Sequence, residues 1–149
     1  MGRTGANPKL GFGDLQVGQK HEMVVVEDLS RTQIVMYAGA SGDFNPIHHD
    51  EIFATRVAGY PSVFAHGMLS MGLTGRMLTD WLGDGVLQGF GVRFRAQVWP
   101  GDTLTARACV TAIEPEGDEA LVKLDVETVN QKGEAVVVGD ASARLPRAV

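Results

Sequence analysis

The sequence predicts an α+β fold in which a curved antiparallel sheet wraps around one long buried helix. Three observations carry that expectation. A helical stretch at about 66–82 is apolar around nearly its whole circumference, which marks a helix enclosed on most sides. The chain after it alternates apolar and polar residues in four runs separated by turn signals, the pattern of antiparallel strands with one covered face. With 149 residues and 44% apolar side chains, there is material for one ordinary domain with a single core.

In chain order, residues 1–13 contain Gly and Pro without periodicity and are expected to form a flexible arm ahead of a single domain at 14–149. Met23 to Val26 form the apolar centre of a strand expected at Glu22–Glu27. Ser30 and Gln33 have capping-box spacing, so a helix starts there. Ile34, Val35, Tyr37 and Ala38 give it an apolar face, and Gly42 and Pro46 end it. Asp43–Asp50 is a tight loop because Asn45-Pro46 disfavours helical geometry. Glu51–Val57 reads as a short helix and Gly59-Tyr60-Pro61 as a turn. The main helix runs over His66–Leu82, with Met68, Leu69, Met71, Leu73, Met77, Leu78, Trp81 and Leu82 as its apolar residues and Gly83 just past its end. Gly72 and Gly75 each cost about 1 kcal/mol relative to alanine, which predicts close approach of sheet backbone. Strands follow at Val92–Val98, Leu104–Val110, Val122–Val126 and Ala135–Leu145, with turns at Pro100-Gly101-Asp102, Glu114–Asp118 and Asn130–Gly133. A single helix inside one small sheet is the hot-dog architecture. It leaves apolar surface uncovered, so at least a dimer is expected.

The net charge of −5 argues against a nucleic-acid or anionic-membrane partner, but not against a small anionic ligand. Cys109 is the one cysteine, so no intrachain disulfide forms; it is expected as a small buried residue. Met1 to Leu10 has no apolar core of a signal peptide, and no apolar run reaches about 18 residues. The expected location is therefore cytoplasmic. No Gly-rich phosphate loop or dinucleotide fingerprint occurs, so no bound redox cofactor is expected. There is no G-x-S-x-G elbow for a serine nucleophile.

The densest chemical signal is the stretch from Tyr37 to Asp50. Asp43 and His48 stand five positions apart and would diverge on a continuous helix. The turn at Asn45-Pro46 brings them toward one point. A carboxylate that accepts one water proton and an imidazole that takes the other suit an activated water. Taken singly, an Asp at a helix end and a His in a loop are ordinary; their company with Gly42, Asn45 and Pro46 in one tight loop is what points to chemistry. The second signal is Phe64-Ala65-His66-Gly67-Met68 at the start of the main helix. The N–H of Gly67 lies at the positive end of that helix, where a substrate carbonyl oxygen can reach it. Close packing alone would also explain a glycine there. His66 is expected to make a local hydrogen bond at the helix start, and His21 to lie isolated on the surface. No metal is expected from His48, His49, Asp50 and His66, because H-x-x-x-H and C-x-x-C spacings are missing. Arg93 and Arg95 share a strand face, either as a solvated face or as partners of ligand phosphates.

The run Gly42-Asp43-Phe44-Asn45-Pro46-Ile47-His48 resembles the signature of the MaoC-like, (R)-specific enoyl-CoA hydratase family. His66-Gly67-Met68-Leu69, and Val92-Arg93-Phe94 followed by Pro100-Gly101-Asp102, resemble it too, so the likeness runs from about Leu15 to Leu145. The resemblance implies a hot-dog fold, usually a dimer with joined sheets. It implies syn hydration of a trans-2-enoyl thioester to the (3R)-3-hydroxyacyl thioester, or the reverse. Asp43 and His48 would be the catalytic pair, Gly67 the oxyanion donor and Asn45 the loop support; beside what the resemblance implies, His66 and Arg93 are candidates for substrate binding or site support from their own positions. No cofactor is implied beyond the coenzyme A or phosphopantetheine of the substrate. The chain is also similar to dehydratase subunits that pair a catalytic with a non-catalytic homologue, so a homodimer, a higher homo-oligomer or a heterodimer are the expected partnerships. Where some members carry a serine in the central helix, this chain has Gly75, which bears on the shape of the acyl pocket. A hot-dog thioesterase is the competing expectation, since one carboxylate and the same fold serve thioester hydrolysis.

Overall fold

The computed structural model describes residues 5–149. Its elements are β1 (Asn7–Pro8), β2 (Lys20–Val26), α1 (Arg31–Ser41), β3 (Gly83–Asp84) after α2 (Gly67–Leu82), then β4 (Leu87–Phe94), β5 (Leu104–Glu116), β6 (Glu119–Val129) and β7 (Ala135–Pro146). Single helical turns at Pro46–His48 and Phe53–Val57 link α1 to α2. Five strands form one sheet in the order β2-β5-β6-β7-β4, and every neighbouring pair is antiparallel. α2 touches all five of these strands. This is the hot-dog arrangement, and its core is the meeting of α2 with the inner sheet face. Met77, Leu78 and Leu82 are 0% exposed, as are Leu104, Val122, Val137 and Ala143 opposite them.

The local devices follow the expected chemistry. Ser30 accepts from the Gln33 N–H at 3.1 Å, and the Gln33 side chain accepts from the Ser30 N–H at 2.9 Å. α1 ends at Gly42, whose φ of 74° is left-handed and suits a residue without Cβ.

Several expectations are corrected. Residues 7–13 do not stand free: Asn7 and Pro8 pair with Asp84 and Gly83, and the Gly13 N–H donates to the Arg147 carbonyl. Residues 1–4 of the expected arm lie outside the described residues. The strand read at Val92–Val98 stops at Phe94. Beyond Arg95, which still donates to the Val136 carbonyl, the chain leaves β7, and the Val98 carbonyl accepts from the Ala65 N–H instead. Alternation in sequence survives this departure because the segment is still covered on one side. Gly75 meets the ring of Phe90 and not sheet backbone, while Gly72 faces open space. The close backbone approach occurs at Gly139, where a Cβ would collide with the Gly91 carbonyl. His21 is stacked on Trp81, with ring centroids 4.6 Å apart, and is not an isolated surface residue. Cys109 is half-buried, outward between buried Ala108 and Val110.

Candidate active site

The loop after α1 is built from its own side chains. The Asp43 N–H donates to Ser41 Oγ, the Asn45 N–H to Asp43 Oδ1, and the Ile47 N–H to Asn45 Oδ1, each at 3.2 Å. These turns mimic backbone turns with short polar side chains. Asn45 thereby caps the helical turn that begins with Pro46 and ends with His48. One oxygen of Asp43 is held by the loop, and its side chain is exposed.

His48 is 7% exposed, and its Nδ1 lies 2.6 Å from the Phe64 carbonyl. A carbonyl only accepts, so Nδ1 carries the proton and Nε2 presents a lone pair. Burial holds the His48 pKa below the ordinary imidazole value; the Phe64 carbonyl and Asp43 pull it up, and His66 and His49 push it down. The ring is therefore neutral at neutral pH, the state a base requires. It is clamped between His66, stacked at 3.8 Å, and the edge contact of Phe64 at 5.2 Å.

His66 is the N-cap of α2 and lies 2% exposed. Its hydrogen bond is not local: Nε2–H donates at 3.0 Å to the main-chain carbonyl of Asp43. Gly67 is the first residue of α2, so its N–H has no acceptor within the helix, and no other main-chain carbonyl among the described residues accepts from it. Its missing side chain matters, since a Cβ there would lie 3.1 Å from the Phe94 ring.

The fold thus gathers Asp43, His48 and His66, and it places Gly67 on the next residue. One ligand-type atom from each of the three side chains lies within 4.8 Å of the others. That is the span of a single bridging water with hydrogen bonds of about 2.8 Å. A metal ion is a poorer fit. The two rings are stacked, so their in-plane lone pairs run side by side and do not converge, and one nitrogen of each is taken by a carbonyl.

A cleft of about 290 Å³ opens beside this cluster, with Phe64, Gly67, Ser70, Phe94, Arg95 and Val136 among its walls. Phe64 joins the two parts, because its carbonyl orients His48. Arg93 is not brought to the cluster; with Arg95 it borders an adjoining groove, and neither forms an ion pair among the described residues. Sequence reasoning missed two features. The Phe64 carbonyl is main chain and leaves no mark on residue identity. Ser70 was legible as a hydroxyl three positions after Gly67, with Thr74 one turn further on the same helix face.

Residues 14–132 match the family model described as the MaoC like domain. The chain belongs to that family. Among curated relatives, an (R)-specific enoyl-CoA hydratase of Rhodospirillum rubrum is 32% identical to it over 137 residues, 91% of each chain. The 3-hydroxyacyl-thioester dehydratase Y of Mycobacterium tuberculosis is 44% identical over 97 residues, 63% of this chain and 32% of the relative; the chain thus spans about a third of that longer protein. Among solved structures, the (R)-hydratase of Aeromonas caviae involved in PHA biosynthesis superposes with a TM-score of 0.77 at 33% identity, covering 89% of this chain and 98% of that one. The ChsH1-ChsH2 complex of Mycobacterium tuberculosis gives 0.66 at 27% identity, covering 88% and 97%. Hydration and dehydration are one reaction in two directions, and this MaoC-like chain is a hydro-lyase. No helix among its described residues is long and apolar enough to cross a membrane.

Proposed function

We propose that the protein adds water reversibly to a trans-2-enoyl thioester, giving the (3R)-3-hydroxyacyl thioester, with Asp43 and His48 holding the water. The observation that carries this is the bond from His48 Nδ1–H to the Phe64 carbonyl, which leaves Nε2 unprotonated beside an exposed carboxylate. Water sits between that nitrogen and the free oxygen of Asp43. His48 takes one proton as the water oxygen bonds to C3. The C2–C3 π electrons move toward the thioester carbonyl, and the Gly67 N–H stabilises the enolate oxygen that results. The imidazolium returns the proton to C2 on the same face, so addition is syn and atoms balance. Asp43 orients the water and offsets the charge that develops on His48. The acyl thioester, carried by coenzyme A or a phosphopantetheine arm, brings its carbonyl to Gly67 through the cleft, with Arg93 and Arg95 beside the phosphate-bearing end. No cofactor takes part.

The reading is tested with purified protein and crotonyl-CoA. Loss of the conjugated enoyl absorbance without release of free thiol, giving (3R) product on chiral analysis, is the expected result. Thiol release at the rate of absorbance loss supports the thioesterase alternative instead.

A partnership completes the site in this reading. Phe44, Met68 and Phe94 are 64%, 54% and 50% exposed around it, apolar side chains that a partner chain would cover. A second copy or a homologous chain covers them. The structural neighbour that is itself a two-protein complex favours keeping the heteromeric form in the test.

A further inference from the structure

Asp43 and His48 make no hydrogen bond to each other, and Gly67 belongs to a different element. His66 touches all three. It donates to the Asp43 carbonyl across 23 positions of sequence. It stacks on His48 with 28° between the ring planes. Its own carbonyl accepts from the N–H groups of Leu69 and Ser70, which fixes the first turn of α2 and with it the Gly67 N–H. Tyr37 of α1 backs the ring edge-on at 4.9 Å.

The other nitrogen of His66, Nδ1, is buried and has no hydrogen-bond partner among the described residues. An unpaired buried polar atom costs free energy that an apolar ring of the same size would avoid. Packing alone therefore gives no reason for a histidine at this place. The bond made by Nε2 does. The other ties of Asp43 are to its own chain neighbours, the Asn45 N–H to its Oδ1 and its N–H to Ser41 Oγ; His49 Nε2 bonds the Phe44 carbonyl within the loop, and His48 Nδ1–H, which bonds the Phe64 carbonyl, ties His48 and not Asp43 to the segment before α2. Among the described residues, His66 supplies the side-chain tie between Asp43 and the helix that carries Gly67.

We propose that His66 is a positioning residue that registers the carboxylate, the base and the oxyanion donor against one another. The proposal rests on the hydration reading above for its kinetics, but not for its structural consequence. A displacement of about 1 Å between reacting groups is enough to cost about a hundredfold in rate.

The test compares His66→Phe and His66→Gln with the wild-type protein. Phenylalanine keeps a ring for the stack, fills the volume and removes the orphan nitrogen, but it cannot donate. Glutamine restores an amide N–H near the Nε2 position. With crotonyl-CoA, kcat of the phenylalanine variant is expected to fall about tenfold or more while KM stays within about twofold. Its melting temperature is expected to hold or rise. The glutamine variant should recover most of kcat. A phenylalanine variant with wild-type kcat, or a glutamine variant that falls as far, overturns the proposal. Amide hydrogen exchange over residues 43–45 is read in parallel and needs no turnover. Faster exchange in the phenylalanine variant alone supports the tie, and unchanged exchange contradicts it even if crotonyl-CoA is not a substrate. Wild-type protein that lacks hydration but shows the exchange effect tells against the hydration reading, not against the tie.

Discussion

At the scale of single residues, the site divides its work between side chains and main chain. Asp43 and His48 are each oriented by backbone groups, so replacing either side chain should leave the fold intact. Asp43→Asn and His48→Gln are expected to lower the hydration rate by about 100-fold or more, with circular dichroism and melting temperature close to wild type. Because burial holds the His48 pKa down, the acid limb of the rate profile should have its midpoint below the ordinary imidazole value. Asp43 raises that pKa, so Asp43→Asn should shift the His48 titration, followed by NMR of the ring, to still lower pH; an upward shift would contradict the geometry. Measured against Gly67→Ala, which adds the Cβ that meets the Phe94 ring but keeps the N–H, Gly67→Pro reports on the loss of that N–H. Proline is tolerated at the first position of a helix, and His66, with φ −60° and ψ 137°, already has the extended conformation that a residue before proline adopts. The variant should fold and lose about 100-fold or more in kcat, as read in the crotonyl-CoA assay.

At the scale of elements, what positions the loop is the end of α1 and the start of α2. Asn45→Ala removes the cap on the Pro46–His48 turn and should cost about 1 kcal/mol of stability, together with a fall in kcat, measured by denaturant unfolding and turnover. Gly139→Ala strikes the contact of β7 with β4 and should cost about 1–3 kcal/mol. Much of this level was legible in the sequence. Ser30 with Gln33, the stop at Gly42, the turn at Asn45-Pro46 and the apolar length of α2 are local signals, and β2, α1, α2 and β7 formed within about two residues of their expected places, whereas β4 begins earlier, at Leu87, and β5 runs on to Glu116. What was not legible depends on distant partners. Residues 96–98 leave the sheet, and the Val98 carbonyl accepts from the N–H of Ala65, about 30 positions earlier. His21 finds Trp81 across the fold, and the His66 bond reaches back to Asp43. The pairing of Asp43 with His48 could be read because both sit in one loop. The role of Phe64 could not, because the atom involved is a carbonyl.

At the scale of the whole molecule, one central helix packed on one sheet puts the Gly67 N–H, His48 and the cleft at the same end of α2. His21 and His48 both titrate below the ordinary value when folded, burial being the leading cause in each. The unfolded chain therefore binds more protons just below about pH 6.5. Their contribution to stability should be complete above that pH and lost as pH falls through the folded values, which melting curves between neutral and acid pH will show. The central claim is that water held by Asp43 and His48 adds to C3 of an enoyl thioester. Crotonyl-CoA turned over in oxygen-18 water tests it most directly, with the product read by mass spectrometry. The account predicts heavy oxygen in the C3 hydroxyl of an intact 3-hydroxyacyl thioester, entering about 100-fold or more slowly when Asp43 is replaced by Asn. Heavy oxygen in the carboxylate of a released acid would contradict it.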